Sequence, residues 1–212
     1  IQINNISFKY KDNKSIIKNL NLLIYKDQHI GFYGESGAGK TTFIDILLGL
    51  LKPDTGEIII NDDKRIYHTQ YYNNIISYVP QENFLINDTI LNNIVFGFHL
   101  NNDDIDHSLI KNIIDKVNLK KIIDKLDYGL NTIVDEDGSN FSVGQVQRII
   151  MARALYRQPR LLILDEPTSA LDIENENNII EILKNLKKTG VIVIAISHSP
   201  NYFRNFDKLY KI

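Results

Sequence analysis

The feature that most constrains the fold of this chain is a glycine-rich stretch, Gly34-Glu35-Ser36-Gly37-Ala38-Gly39-Lys40-Thr41, which matches G-x-x-x-x-G-K-[ST] at every position. Glycines let successive backbone N–H groups curl around phosphate oxygens, and a following helix offers the positive end of its dipole. An apolar strand pattern over residues 28–33 precedes the stretch, and helical periodicity over residues 41–51 follows it. The stretch therefore predicts a phosphate-binding loop between a strand and a helix.

The last two residues of the motif have separate predicted roles. The ammonium group of Lys40 can reach the β- and γ-phosphates of a nucleotide, and the Thr41 hydroxyl can ligate Mg²⁺. The residues predicted to contact the nucleotide in this part of the chain are Gly34, Glu35, Ser36, Gly37, Ala38, Gly39, Lys40, Thr41 and Thr42.

Asp165 and Glu166 form a second candidate for chemistry. They follow the apolar residues 161–164, a pattern typical of a strand that is buried on both faces. Such a strand carries them to the carboxyl edge of a parallel sheet, where ligands bind. There we expect Asp165 to hold Mg²⁺ through water and Glu166 to orient or deprotonate an attacking water. Taken alone, the pair is more typical of a turn at a strand end. The phosphate loop in the same chain favours the catalytic interpretation.

Alternation of short β-rich segments with helical ones predicts an α/β fold, with a mostly parallel sheet and an N-terminal antiparallel β element. We expect one domain over residues 1–212. Its α/β core would comprise about 1–81 and 157–212, and a helical subdomain over about 82–156 would be inserted between them. Strands are expected at residues 1–10, 19–25, 28–33, 57–60, 75–79, 161–164 and 191–196.

Composition excludes several classes of protein. The 212 residues include 24 Lys and Arg against 26 Asp and Glu, a net charge of −2, which argues against a broad nucleic-acid-binding surface. Cysteine is absent, which removes disulfides, thiolate metal sites and cysteine nucleophiles. The longest apolar run, residues 191–196, is far shorter than the ~20 residues that span a bilayer, so we expect no membrane insertion by this segment.

Five further motifs, in order along the chain, resemble those of the nucleotide-binding domain of ABC transporters. The resemblance covers essentially the whole chain and implies a P-loop NTPase core. The segments that carry it are Tyr10 (the A-loop), Pro80-Gln81 (the Q-loop), Phe141-Ser142-Val143-Gly144-Gln145 (the signature), residues 165–172 (Walker B and the D-loop) and Ser197-His198 (the H-loop).

The resemblance assigns roles that the residue types alone leave open. It implies that Tyr10 stacks on adenine, that Gln81 contacts Mg²⁺ and water and senses a membrane partner, and that His198 contacts the γ-phosphate. Judged only as residues, Tyr10 could serve strand packing, Gln81 a turn, and His198 the core. The implied catalytic set is Lys40, Gln81, Glu166 and His198, and the implied Mg²⁺ ligands are Thr41, Gln81 and Asp165.

The signature implies a partner. In the family it caps the γ-phosphate of a nucleotide bound to the other subunit, a role that would fall here to Ser142, Gly144 and Gln145. Phe141 and Val143 depart from the family's Leu and Gly, while a backbone donor at position 143 survives if φ stays negative. With every motif in one chain, we expect a homodimer that sandwiches ATP head to tail.

Two segments favour an exporter. Residues 128–138, with Glu136, resemble the segment before the signature in exporters, and residues 87–97 also resemble an exporter sequence. Because the chain begins with Ile in a strand pattern, we expect a piece of a longer protein with transmembrane helices fused upstream. The resemblance thus implies ATP hydrolysis that drives export or flipping, on the cytoplasmic side of a bacterial inner membrane.

Proteins with other functions contain the same type of nucleotide-binding domain. The alternatives are an importer ATPase made as a separate subunit and a soluble ABC ATPase of DNA repair or the ribosome. A G protein is disfavoured because no Asn-Lys-x-Asp motif follows the phosphate loop.

Overall fold

The computed structural model describes residues 1–10, 15–35, 37–63, 67–97, 105–168, 171–198 and 200–212. The strands are β1 (Gln2–Lys9), β2 (Ser15–Leu23), β3 (His29–Tyr33), β4 (Thr55–Ile59), β5 (Ile76–Val79), β6 (Leu161–Asp165), β7 (Ile192–Ile196) and β8 (Lys208–Lys211). The α-helices are α1 (Lys40–Leu47), α2 (Gln70–Ile75), α3 (Ile90–Ile94), α4 (His107–Lys116), α5 (Lys120–Ile123), α6 (Val143–Tyr156) and α7 (Ile173–Leu186).

The strands form two separate sheets. Five parallel strands make the central sheet in the order β5-β6-β7-β3-β8, and three antiparallel strands make the other in the order β2-β1-β4. The predicted α/β class, with a mostly parallel sheet and an N-terminal antiparallel element, is confirmed. The predicted strand over residues 19–25 was misplaced, because pairing with β1 continues to Ser15 and Gln28 closes a turn on Tyr25.

Two hydrophobic clusters lie on opposite faces of the central sheet. Leu161 and Ile163 of β6 point into the cluster shared with α1 and the antiparallel sheet, while Leu162 and Leu164 point into the cluster shared with α3, α4, α6 and α7. Every residue of β6 is buried. This explains why residues 161–164 lack polar alternation, since both faces of a central parallel strand are covered.

The helix after the phosphate loop ends earlier than periodicity predicts. Gly49 takes a left-handed φ of 76°, and its amide donates to the Ile46 carbonyl while the Leu50 amide donates to the Asp45 carbonyl. This is the Schellman pattern, which stops a helix at its C-terminus. The Tyr72 hydroxyl also donates to the Leu47 carbonyl at 2.7 Å. Helix α1 therefore ends at Leu47, although apolar residues continue to Leu51.

The α-helices α3 to α6 lie in the described parts of residues 82–156. Their buried side chains join the same cluster as α7 and one face of the central sheet. Within the described ranges, none of the helices has the length and apolar character that crossing a bilayer requires.

His29 is a buried polar residue at the start of β3. Its side chain is 0% exposed, and within the described part of the chain neither ring nitrogen has a hydrogen-bond partner. Its pKa is lowered to about 4, mainly by burial and also by the charge of Lys187, while Asp207 opposes the shift. Because the folded-state pKa lies below the usual value of 6.5, folding favours the neutral imidazole.

We expect this residue to make stability depend on pH. The contribution of neutral His29 is present above pH 6.5 and is lost as the pH falls through about 4. His29→Leu should therefore show a flatter decline of the free energy of unfolding over this window, measured by urea titration at several pH values. Parallel pH profiles for parent and variant would contradict the expectation.

Candidate active site

The glycine-rich loop curls around the ammonium group of Lys40. Lys40 is the first residue of α1, and its Nζ donates to the carbonyl oxygens of Gly34 (2.8 Å) and Glu35 (2.9 Å). Gly37 and Gly39 have left-handed φ values of 79° and 106°, which only glycine adopts without cost. The loop thus presents a buried cation and the start of a helix to one spot. The predicted contact Ser36 lies outside the described residues.

One cavity of about 410 Å³ gathers most of the predicted site residues. It lies at the carboxyl ends of three strands: the phosphate loop follows β3, Asp165 ends β6, and His198 follows β7. The residues that line it are Tyr10, Ile16, Gly37, Gly39, Lys40, Thr41, Thr42, Gln81, Asp165, Glu166 and His198. Residues that are more than 150 positions apart in the chain therefore meet in one cavity.

Ile16 is the lining residue that the sequence did not indicate. A Cβ at Gly39 would overlap the Ile16 side chain. This contact gives Gly39 a packing reason beyond its backbone angle. No motif marks Ile16, since its place follows from the pairing of β2 with β1 rather than from local sequence.

Glu166 is held between two predicted catalytic side chains. His198 Nε2 lies 2.6 Å from Glu166 Oε1, and Gln81 Nε2 donates to Glu166 Oε2 at 3.3 Å. The backbone of Glu166 has a φ of 46°, uncommon for a residue with a side chain, and its amide donates to the Ile196 carbonyl. A carboxylate fixed in this way can accept a proton from a bound water.

Asp165 ends β6 and is 7% exposed. Burial raises the pKa of its carboxyl, and Glu166 and Asp45 add to that rise, while a hydrogen bond from Tyr78 and the charge of Lys40 oppose it. The Tyr78 hydroxyl donates to Asp165 Oδ2 at 3.3 Å. Sequence reasoning missed Tyr78 because the register between β5 and β6, which places it there, has no signal in the chain itself.

The oxygen ligands in this cavity fit Mg²⁺. Thr41, Gln81 and Asp165 all line it and offer hydroxyl, amide and carboxylate oxygens, the ligand types that Mg²⁺ prefers. A cation beside Asp165 would also offset the cost of its burial. Among the described residues, no group of three or more His, Cys, Asp or Glu could hold a metal ion by itself.

Tyr10 lies at the mouth of the cavity. Its hydroxyl shares a hydrogen bond with Thr42 Oγ1 at 3.2 Å, and Phe8 packs against its ring at 5.0 Å with the planes at 90°. The side chain is 44% exposed. Tyr10 therefore combines strand packing with an accessible ring, so both interpretations of this residue agree with its place.

Ser142, Gly144 and Gln145 begin α6, and α6 contributes none of the described residues that line the cavity. Ser142 and Gln145 form a capping box, in which the Ser142 Oγ accepts from the Gln145 amide at 3.3 Å and the Gln145 Oε1 accepts from the Ser142 amide at 2.9 Å. Val143 is 50% exposed. The signature thus forms a preorganised helix start away from the cavity of its own chain.

Arg153 links α6 to the segment that follows Gln81. Its guanidinium donates to the carbonyl oxygens of Asn93 (2.8 Å) and Phe84 (2.9 Å) and to Asn93 Oδ1 (2.9 Å), and it lies 4.9 Å from the centre of the Phe96 ring. Burial lowers its pKa to about 10. The sequence reasoning did not single out this contact, because it joins residues 60 positions apart.

Gly144 should be intolerant of a side chain. A Cβ there would overlap the side-chain amide of Asn175 on α7, which also accepts from Arg148 at 3.3 Å. We expect Gly144→Ala to lower the free energy of unfolding by about 1–3 kcal/mol, as overpacking does. In an Asn175→Ala background the same change should cost about 1 kcal/mol less. Urea unfolding of the four proteins measures this, and equal costs in both backgrounds would rule out the overlap.

Several known proteins are similar in sequence to this chain. The family described as ABC transporter matches residues 17–169, more than half of the chain. A Rickettsia typhi protein that carries the name export ATP-binding/permease protein is 40% identical over 216 residues, covering 100% of this chain and 36% of that protein. The human ATP-binding cassette sub-family B member 5 is 36% identical over 210 residues, covering 98% of this chain and 16% of that protein.

A solved structure shares the fold. A bacterial Atm1-family ABC exporter with ATP bound superposes with a TM-score of 0.87 at 28% identity, covering 100% of this chain and 36% of that one. The chain spans about a third of that exporter and of the Rickettsia relative. The P-loop NTPase fold and the family resemblance predicted from the motifs are therefore confirmed. This chain belongs to the ABC transporter family.

Proposed function

We propose that this chain binds ATP with Mg²⁺ and hydrolyses it. One observation carries the proposal: Lys40, Asp165 and Glu166 face a single cavity, together with Gln81 and His198. A cation for phosphate, a carboxylate for a metal and a second carboxylate for water are the groups that phosphoryl transfer to water requires. The names of the relatives, which include ATP-binding proteins and an exporter with ATP bound, support ATP as the nucleotide.

The loop would hold the phosphates. Lys40, whose Nζ is bound to the carbonyls of Gly34 and Glu35, is the one Lys or Arg among the described residues that line the cavity. Backbone N–H groups and the start of α1 add partial positive charge. Tyr10, with its accessible ring at the mouth of the cavity, would stack on the adenine.

Glu166 would act on the attacking water. Its carboxylate accepts a proton from water, the water oxygen bonds to the γ-phosphorus, and the bond to the bridging oxygen breaks with its electron pair leaving on ADP. The contacts from His198 and Gln81 hold the carboxylate in position for that proton transfer, and His198 would also contact the γ-phosphate. The proton then leaves Glu166 for solvent.

Thr41, Gln81 and Asp165 would hold Mg²⁺. When bound, Mg²⁺ neutralises charge that develops on the phosphate oxygens. The burial of Asp165 and the mixed oxygen types around it support this assignment.

A second copy of the chain would complete the site. Ser142, Gly144 and Gln145 are not among the described residues that line the cavity of their own chain, and the start of α6 offers the positive end of its dipole to a phosphate. We infer a head-to-tail homodimer in which each signature caps the nucleotide of the partner.

Hydrolysis would drive export or flipping across a membrane. The relatives' names join an ATP-binding part with a permease or exporter, which supports a transmembrane domain as partner. This chain would then act on the cytoplasmic side of a bacterial inner membrane, as one domain with an inserted helical subdomain over about 82–156. Because the chain covers a minor share of these relatives, its transport role rests on their similarity.

Lys40→Ala tests the nucleotide site. Removing the ammonium takes away the charge that faces the phosphates, so ATP binding and hydrolysis should both fall to background. Lys120→Ala is the matched control, since Lys120 is exposed on α5 and forms one surface ion pair with Asp115. Far-UV circular dichroism checks that both proteins fold, and a folded Lys40→Ala protein with parental ATPase activity would contradict the proposal.

Glu166→Gln separates binding from chemistry. The amide keeps the shape of the side chain but accepts no proton, so hydrolysis should slow by about 10²–10⁴-fold while ATP still binds. Phosphate release and calorimetric titration measure the two effects. Near-parental turnover would show that Glu166 is not the base.

A further inference from the structure

Tyr78 reaches from β5 to the end of β6. In the parallel ladder Tyr78 pairs with Ile163, and Asp165 lies two residues further along the same face of β6. Diagonal neighbours at this spacing are within reach of a long aromatic side chain. The Tyr78 hydroxyl accordingly donates to Asp165 Oδ2 at 3.3 Å.

One side chain donates a hydrogen bond to the Asp165 carboxylate within the described ranges, and it is Tyr78. The two hydrogen bonds of Lys40 Nζ go to the carbonyls of Gly34 and Glu35. The carboxylate is nevertheless nearly buried. A buried charged group depends strongly on each hydrogen bond that it accepts, so this bond helps to orient the carboxylate.

The ring of Tyr78 borders a second cavity, of about 280 Å³, which Phe96 and Arg153 also line. Removing the hydroxyl alone, as in Tyr78→Phe, keeps the aromatic ring and so isolates the contribution of the hydrogen bond.

We propose that Tyr78 is a positioning residue, which fixes the orientation of the Asp165 carboxylate and thereby sets how tightly the cavity binds Mg²⁺–nucleotide. The inference rests on the proposed function in that Asp165 is taken as a Mg²⁺ ligand. Tyr78 itself touches neither nucleotide nor metal in this account and acts through Asp165.

The test measures binding rather than turnover. The β,γ-imido analogue of ATP, which is not hydrolysed, is titrated by calorimetry into parent and Tyr78→Phe protein, once with Mg²⁺ and once with EDTA. In Mg²⁺ we expect the affinity of Tyr78→Phe to be about 3- to 10-fold weaker, the effect of one lost hydrogen bond. In EDTA the two proteins should bind equally. Tyr71→Phe is the matched control, since its hydroxyl on α2 accepts from Arg160 at 3.4 Å and lines neither cavity.

A double variant tests the route through Asp165. In an Asp165→Asn background, Tyr78→Phe should cause no further loss of Mg²⁺-dependent affinity. Equal affinity of Tyr78→Phe and parent in Mg²⁺, an equal loss in EDTA, or a full further loss in Asp165→Asn would each overturn the inference while leaving the proposed function intact. A parent protein that binds no analogue in either buffer would instead contradict the proposed function, and the inference with it.

Discussion

The parallel pairing of β6 with β7 is the constraint on which the site depends. Asp165 pairs with Ile196 at the end of this ladder, and the Glu166 amide continues it by donating to the Ile196 carbonyl. Two residues beyond Ile196, His198 therefore lies beside Glu166, at 2.6 Å. The pairing of β3 with β7 sets the phosphate loop next to them. The buried apolar strands thus hold the Lys40 ammonium group close to the carboxylates of Asp165 and Glu166.

Local motifs predicted the parts of the site that are continuous in the chain. The glycine spacing identified the loop around Lys40, and an apolar run ending in two acidic residues identified Asp165 and Glu166. In each case the functional residues are adjacent in the sequence to the pattern that predicts their strand or helix. The contacts of Tyr78 and Ile16 depend on strand register, and those of Asn175 and Arg153 depend on how α6 packs. Such contacts join distant positions and leave no local pattern. The sequence predicted too late an end for α1, which stops at Leu47, because apolar residues continue past the left-handed Gly49.

The cavity and the signature lie apart within one chain. The cavity is lined by Lys40, Asp165 and Glu166, and His198 contacts Glu166. The start of α6 at Ser142, with its complete capping box, does not line this cavity. Asn175 and Arg148 pack that helix start against α7, whose first turn follows the Asp165–Glu166 segment. In the proposed dimer, the cavity of one chain would therefore bind one nucleotide, and the signature of the same chain would contact the nucleotide bound to the partner.

The mass of Glu166→Gln protein under different nucleotides tests this account most directly. Light scattering after size exclusion should show a doubled mass with ATP and Mg²⁺ and a single mass with ADP, because slow hydrolysis keeps the γ-phosphate between the two chains. Adding Ser142→Arg should abolish the doubling, whereas the same change at exposed Ser108 on α4 should preserve it. A mass that is the same with ATP and ADP, or a doubling that survives Ser142→Arg, would contradict the claim that a second copy completes the site.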